Sequence, residues 1–117
     1  FGKAVVTEED TECYSLMLQN SSITRLSNLQ VFKYLITVNL DNCKLDDATV
    51  RPLAALQSLK NVFLRHNELT MLPAMRNLDL LDVSDNPLSQ KLFQTEQLGI
   101  KRLIFGKTGL TGYNFIG

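Results

Sequence analysis

One spacing of apolar residues recurs five times along this chain of 117 residues. Written as an eleven-residue frame, it is L-x-x-L-x-L-x-x-N-x-L, with positions counted from one to eleven. The copies start at residues 13, 35, 59, 78 and 100, so neighbouring copies lie 22, 24, 19 and 22 residues apart. A fixed period of roughly 20 to 50 residues is typical of repeat proteins, in which each unit buries its apolar face against its neighbours. The residues at positions one, four, six, nine and eleven are Cys13, Leu16, Leu18, Ser21 and Ile23; Leu35, Val38, Leu40, Cys43 and Leu45; Leu59, Val62, Leu64, Asn67 and Leu69; Leu78, Leu81, Val83, Asn86 and Leu88; and Ile100, Leu103, Phe105, Thr108 and Leu110.

The frame predicts a short strand followed by a turn. Positions four and six are apolar on either side of one residue, and this alternation is typical of a β-strand with one buried face. The ninth position turns the chain away from the strand, where its side chain has to satisfy backbone groups that would otherwise be buried without partners. Asn67 and Asn86 suit this role, whereas Ser21, Cys43 and Thr108 offer fewer hydrogen bonds. We therefore expect the turn at Cys43 to be the least well satisfied.

The segments that return the chain from one copy to the next follow a three-residue apolar step in the first two copies. Such a step suits a 3-10 helix or an extended turn, because residues i and i+3 of a 3-10 helix lie one above the other. Ala54 and Ala55 favour a short helix in the second copy. The register between Leu88 and Ile100 is not fixed by the pattern. The residues on the three-residue step are Leu26, Leu29 and Phe32 in the first copy and Val50, Leu53 and Leu56 in the second.

Over residues 13–110 the frame resembles that of the leucine-rich-repeat family. It is similar to the short class of about 22 residues per repeat, to which bacterial internalins and the leucine-rich regulatory subunit of a protein phosphatase belong. The resemblance implies an α/β solenoid, a right-handed arc of about five repeats. Its concave face would carry a parallel β-sheet, and its convex side 3-10, short helical or extended segments. Residues 1–117 then form a single domain, with 1–12 as an N-terminal cap or the remnant of an earlier repeat, and 111–117 as the C-terminal end.

The composition excludes several classes of function. Twelve basic and twelve acidic residues cancel, so the excess of positive charge that nucleic-acid binding uses is missing and no nucleic acid is expected as partner. No apolar run approaches the roughly 20 residues of a spanning helix, so no membrane contact is expected. The apolar residues 113–117 suggest that the chain continues, or that this end packs against a partner or a second copy. Cys13 and Cys43 are predicted to be buried free thiols, which slightly favours an intracellular location.

A parallel sheet built on this frame presents positions two, three, five, seven and eight on its open face. We expect a protein partner to bind there, because apolar and charged side chains alternate on that face. Phe63 is the predicted anchor, with Arg65, His66 and Asp82 as orienting polar groups. The alternative is that the face is only solvated and that the interface lies on an edge or an end. The candidate partner-binding residues are Tyr14, Met17, Ile36, Asn39, Phe63, Arg65, His66, Leu80, Asp82 and Ile104.

Charges on the open face fall into bands. The third copy presents Lys60, Arg65 and His66, and the fifth presents Lys101, Arg102 and Lys107. Between them, the fourth copy presents three aspartates. The bands either set the register of a partner or pair with one another across neighbouring strands, and the sequence leaves both accounts open. The three aspartates are Asp79, Asp82 and Asp85.

Catalytic chemistry is not expected. His66, Ser84 and an aspartate fall on neighbouring strands, but on an open surface that does not exclude water and offers no oxyanion hole. One histidine is too few for a metal site, and the glycines have no phosphate-binding spacing, so no cofactor is predicted. The sequence therefore predicts a non-catalytic protein–protein interaction module. The alternatives are a structural or self-associating scaffold segment of a larger protein, and recognition of a non-protein ligand such as RNA or a surface polymer.

Overall fold

Five short strands form one parallel sheet in the order of the chain. The computed structural model describes residues 14–23, 34–72, 75–89 and 99–110. The predicted five-stranded parallel sheet is confirmed within these ranges. The strands are β1 (Ser15–Met17), β2 (Thr37–Asn39), β3 (Asn61–Phe63), β4 (Leu80–Asp82) and β5 (Leu103–Ile104).

The strands pair in the register of the eleven-residue frame. Leu16 lies beside Val38 and Met17 beside Asn39 in the first pair of strands, so residues at equal frame positions are direct neighbours. The same alignment holds for the other three pairs. Backbone hydrogen bonds extend the ladder beyond the strands, as where Leu18 N–H donates to Asn39 O and Asn20 N–H to Asp41 O, both at 2.9 Å. The repeated apolar spacing therefore determines which backbones pair.

The core lies on one side of this sheet. Residues at frame positions one, four, six and eleven of the second, third and fourth copies are buried, and each fully buried leucine or valine contributes about 1.5–3 kcal/mol relative to an exposed one. Packing is less complete in the fifth copy, where Ile100, Leu103 and Phe105 are only partly buried. The largest fully buried side chains are Leu35, Leu40, Leu45, Leu53, Leu64, Leu69, Leu78, Leu81, Leu88, Val38, Val62 and Val83.

The return segment of the second copy contains a 3-10 helix at Arg51–Ala55, which begins with Pro52 in its first turn. Leu53 N–H donates to Val50 O at 3.0 Å, and Leu56 N–H donates to Leu53 O at 3.1 Å. These i→i+3 bonds place Val50, Leu53 and Leu56 on one buried face, as the three-residue step predicts. The predicted three-residue step of the first copy, the unfixed register after Leu88 and the two chain ends lie wholly or mostly outside the described residues. Within the described ranges, no helix combines the length and apolar character needed to cross a membrane.

Frame position eight has a left-handed backbone in every copy. Asn20, Asn42, His66, Asp85 and Lys107 have φ angles between 54° and 64°. Asn, Asp and His adopt this conformation more readily than other non-glycine residues. Four of the five position-eight residues belong to these types, a signal that sequence reasoning missed. The left-handed residue ends the strand and directs the chain into the turn at position nine.

Candidate functional site: the open face of the sheet

The open face is supported by asparagines buried in the turns behind it. Asn67 Oδ1 accepts the N–H groups of Cys43 at 2.9 Å and Leu45 at 3.0 Å. Its Nδ2 donates to Leu40 O and Leu64 O, both at 3.0 Å. One side chain thus satisfies buried backbone groups of two neighbouring copies, as expected for position nine.

Smaller residues at position nine make some of the corresponding hydrogen bonds in the second and fifth copies. The Cys43 thiol donates to Leu18 O at 3.0 Å, the acceptor that corresponds to Leu40 O for Asn67. Thr108 Oγ1 donates to Phe105 O at 2.7 Å and accepts the N–H of Leu110 at 3.1 Å. The Ile23 N–H, which corresponds to the Leu45 N–H, is instead accepted by the backbone oxygen of Cys43 at 3.2 Å.

Cys43 is a buried free thiol, as predicted. Burial raises the pKa of the Cys43 thiol, and nearby Asp41 adds to this rise, while backbone amides at Ser21 and Asn20 oppose it. The thiol is therefore held in its neutral form, which suits a structural role and not a nucleophilic one. Cys13 lies outside the described residues.

The exposed large apolar side chains of the open face lie on or next to β1 and β2. Tyr14, Met17 and Ile36 are 58%, 54% and 40% exposed. Tyr34, which is 53% exposed, joins them, and its ring centroid lies 6.1 Å from that of Tyr14. Tyr34 precedes position one of its copy, so the frame gave no reason to place it here. We call Tyr14, Met17, Tyr34 and Ile36 the apolar patch.

The predicted anchor is less exposed than the patch. Phe63 is half-buried, as are Asn39, Leu80 and Ile104. Phe63 lies on the middle strand, with Asn39 beside it on β2 and Asp82 beside it on β4. Phe63 therefore exposes a smaller fraction of its side chain than the members of the apolar patch, and its role as the anchor stays a prediction.

Asp82 is almost fully buried, with 7% of its surface exposed. Its Oδ1 accepts the N–H of Ser84 at 3.1 Å. At the equivalent position on β2, Asn39 Oδ1 accepts the N–H of Asp41 at 3.0 Å. Each side chain therefore accepts the backbone N–H of the residue two positions later in the chain. Asp82 was expected to face a partner as a polar group, but its hydrogen bond and burial give it a structural role as well.

Arg65 lies between two carboxylates. Its Nε is 3.1 Å from Asp41 Oδ2 and 3.9 Å from Asp82 Oδ2. Asp41 Oδ1 also accepts the Arg65 backbone N–H at 2.8 Å. Because the aspartates are largely covered and the arginine is more than half exposed, the guanidinium is held in place while part of it faces solvent.

His66 and Asp85 form the second close pair, with Nδ1 and Oδ2 2.5 Å apart. The hydrogen bond from His66 is the main reason why the pKa of the Asp85 carboxyl lies below its ordinary value, and the charge of Lys107 adds to the effect. Lys101 Nζ lies 3.4 Å from Asp79 Oδ1. Every aspartate of the open face thus has a basic partner in a neighbouring copy of the frame. This favours the account in which the charge bands pair with one another.

A groove of about 550 Å³ follows the carboxyl ends of the strands, and side chains of Asp41, Arg65, His66 and Asp85 line it. In the described part of the chain, no hydrogen bond joins the Ser84 hydroxyl to the His66 ring, whose Nδ1 contacts Asp85. Nor do the described residues contain a cluster of three His, Cys, Asp or Glu side chains able to hold a metal ion.

Comparisons with protein-family models, with curated proteins and with solved structures found no match to this chain. The function is therefore inferred from the repeated frame and from the chemistry of the open face. That face offers an apolar patch at one end, paired charges in the middle and basic side chains on either side of β5.

Proposed function

We propose that this chain is a leucine-rich-repeat solenoid that binds a protein partner on the open, concave face of its sheet and catalyses no reaction. Three features support the solenoid: five copies of the frame, their in-register parallel pairing, and buried asparagines that link one turn to the next. In such an architecture each copy is stabilised chiefly by its neighbours, and the sheet forms one continuous surface.

The apolar patch carries the proposal of protein binding. Among the described residues, five large apolar side chains are exposed, and four of them are the members of the patch. Single exposed apolar residues are ordinary on protein surfaces, but a contiguous group bordered by polar residues is typical of an interaction site. Tyrosine is also enriched among residues that dominate binding energy, because it buries a large area with few rotatable bonds.

The charged centre of the face supports the same interpretation. Arg65 is held by Asp41 and Asp82 before any partner arrives, so its ordering costs little on binding. Half-buried Phe63 lies beside Asn39 on the neighbouring strand, two residues before Arg65 in the chain. A partner that covers the patch would therefore also meet prearranged polar groups, which fix orientation.

Met17 and Met71 provide a matched test of the proposal. Both are 54% exposed, but Met17 lies on β1, whereas Met71 lies in the return segment after β3. We expect Met17→Glu to abolish capture of a partner from a lysate of the source cells, because it places a charge in the apolar patch. Met71→Glu changes the same residue type at the same exposure and should leave capture intact.

The readout is the set of proteins retained by the wild type and by Met71→Glu but lost with Met17→Glu, identified by mass spectrometry. Circular dichroism of both variants checks that each is folded. If both variants retain the same proteins as the wild type, the open face is not the binding surface. If sedimentation instead shows wild-type dimers that only Met17→Glu disrupts, the occupant of the patch is a second copy of the chain.

A further inference from the structure

We propose that the partner meets this face through an extended acidic segment, with apolar residues over β1 and β2 and carboxylates over β5. This inference rests on the proposed protein-binding function and names the chemistry of its partner. It follows from which charges of the face are already paired and which are not.

Each acidic side chain of the open face already contacts a basic side chain of the same chain. Asp41 and Asp82 flank Arg65, Asp79 contacts Lys101, and Asp85 contacts His66. A basic partner would have to compete with these internal partners for each carboxylate. The aspartates therefore contribute little free negative potential to attract a basic segment.

Three basic side chains of the face remain. Lys60, Arg102 and Lys107 are exposed and form no ion pair with any described residue. Lys60 Nζ reaches only the backbone oxygen of Asn77, at 3.4 Å. Arg102 and Lys107 belong to the same copy, on either side of β5 (Leu103–Ile104). The unpaired charge of the face is therefore positive and concentrated at the β5 end.

The two ends of the face differ in chemistry. No charged residue occupies the outward positions of the first copy, where Tyr14 and Met17 are exposed. The strands run side by side from β1 to β5, so the apolar and basic ends are separated by four inter-strand spacings, or about 19 Å. An extended segment lying across the strands covers that distance with about six residues. A partner with apolar and acidic residues about six positions apart would match both ends at once.

A protein segment fits this face better than a nucleic acid. Three unpaired basic side chains are fewer than the six to ten phosphate contacts that commonly sustain nucleic-acid binding. Two of the four members of the apolar patch, Met17 and Ile36, offer apolar contact but no planar ring for stacking. We therefore assign the basic end to carboxylates of a protein and treat phosphate binding as one of the outcomes of the test.

The test uses the full chain as bait for a phage-displayed library of random twelve-residue peptides. Enriched peptides are then synthesised with a fluorophore, and their dissociation constants are measured with the wild type and three variants. The first variant, Met17→Glu, removes the apolar end. The second, Arg102→Glu with Lys107→Glu, reverses the basic end. The third, Lys44→Glu with Arg51→Glu, makes the same change of net charge at exposed residues away from the sheet face.

We expect the enriched peptides to carry a net negative charge, with apolar and acidic residues about six positions apart. Their affinity should fall at least tenfold, or about 1.4 kcal/mol, with Arg102→Glu and Lys107→Glu, and it should fall with added salt. The Lys44→Glu and Arg51→Glu control should bind within a factor of about two.

Enriched peptides that are neutral or basic, or that bind the Arg102→Glu and Lys107→Glu variant as well as the control, would overturn the acidic-partner inference. If those peptides still lose binding with Met17→Glu, the proposed function survives. If none of the peptides responds to Met17→Glu, or if no peptide is enriched, the proposed function fails as well.

A fluorescent random oligonucleotide is titrated in parallel. Salt-dependent binding of the oligonucleotide that is lost with Arg102→Glu and Lys107→Glu, while no acidic peptide is enriched, would assign the basic end to phosphate.

Discussion

Asn86 Oδ1 accepts the backbone N–H of Asn67 at 3.1 Å, and Asn67 Oδ1 in turn accepts the backbone N–H of Cys43 at 2.9 Å. The turns of the second and third copies are thus each held by a side chain from the next copy of the frame. Because each asparagine also donates to carbonyl groups of its own and the preceding copy, loss of one asparagine affects two copies. Stability should therefore be coupled along the row of turns.

Replacing Asn67 by alanine should cost at least about 3 kcal/mol of unfolding free energy. The change leaves buried N–H groups at Cys43 and Leu45 and a buried carbonyl at Leu40 without that partner, and each unsatisfied group costs about 1–3 kcal/mol. Asn61→Ala serves as control, because the side chain of half-buried Asn61 donates to the Thr37 hydroxyl at 3.2 Å and to no backbone carbonyl. Urea denaturation followed by circular dichroism measures both. Equal losses for the two variants would contradict the role assigned to Asn67.

The frame predicted the sheet because it combines two periods. Alternation of apolar residues places Val38 and Leu40 on the buried face of one strand, and the longer repeat aligns Val38 with Leu16 and Val62. Asn67 was identifiable as a turn residue because few side chains offer both a donor and an acceptor at that size. The three-residue apolar step allowed either a 3-10 helix or an extended turn, and the structure has the 3-10 helix with Val50, Leu53 and Leu56 buried.

Exposure within the face could not be predicted in the same way. Position five projects from the same face in every copy, yet Met17 is exposed, Phe63 is half-buried and Asp82 is buried. The difference depends on the side chains of neighbouring strands, which the frame does not determine. Tyr34 escaped notice because it lies outside the frame, although it packs beside Tyr14.

A methyl group at Gly109 should be far less tolerable than one at Gly106. A Cβ on Gly109 would lie 2.1 Å from the backbone oxygen of Leu88, whereas a Cβ on Gly106 would meet only Ser84 Oγ at 3.9 Å. Gly109→Ala therefore has to displace backbone, and we expect a loss of about 1–3 kcal/mol, as for overpacking. Gly106→Ala should change stability by less than about 0.5 kcal/mol. Thermal melts of the two variants give the comparison, and a Gly109→Ala variant as stable as the wild type would rule out this close approach.

Arg65 and Asp82 should be energetically coupled. Arg65→Ala is expected to cost about 1–2 kcal/mol, because it leaves almost fully buried Asp82 without a nearby cation. In an Asp82→Asn background the same change should cost less, since the amide keeps an acceptor for the Ser84 N–H but carries no charge. The expected coupling is about 0.5–1 kcal/mol, reduced by the exposure of Arg65 and the 3.9 Å separation.

A double-mutant cycle by urea denaturation measures this coupling. Additive effects within about 0.3 kcal/mol would show that Arg65 acts through Asp41 alone. The expected loss of stability also makes Arg65→Ala a poor probe of partner binding. A binding defect in that variant would mix a lost contact with a rearranged face, which is why the exposed Met17 is the better position.

The pKa of the Asp85 carboxyl should rise toward its ordinary value in His66→Ala. The hydrogen bond from His66 is the largest cause of the lowered pKa, and it favours the ionised carboxyl. The folded-state pKa of Asp85 lies below the unfolded value of about 3.9. The ionised carboxyl therefore stabilises the fold at pH values above that unfolded pKa, and this stabilisation is lost as the pH falls through the folded-state pKa.

Asp46 provides an internal control for this titration. Its pKa is also lowered, chiefly because the Thr49 hydroxyl donates to Asp46 Oδ1 at 2.7 Å. Side-chain carboxyl resonances followed by NMR from neutral to acidic pH report both groups in one sample. His66→Ala should raise the Asp85 pKa and leave the Asp46 pKa unchanged. Thr49→Val should raise the Asp46 pKa and leave the Asp85 pKa unchanged. An Asp85 pKa unaffected by His66→Ala but raised by Lys107→Ala would show that the lysine charge, and not the hydrogen bond, is the main cause of the lowered pKa.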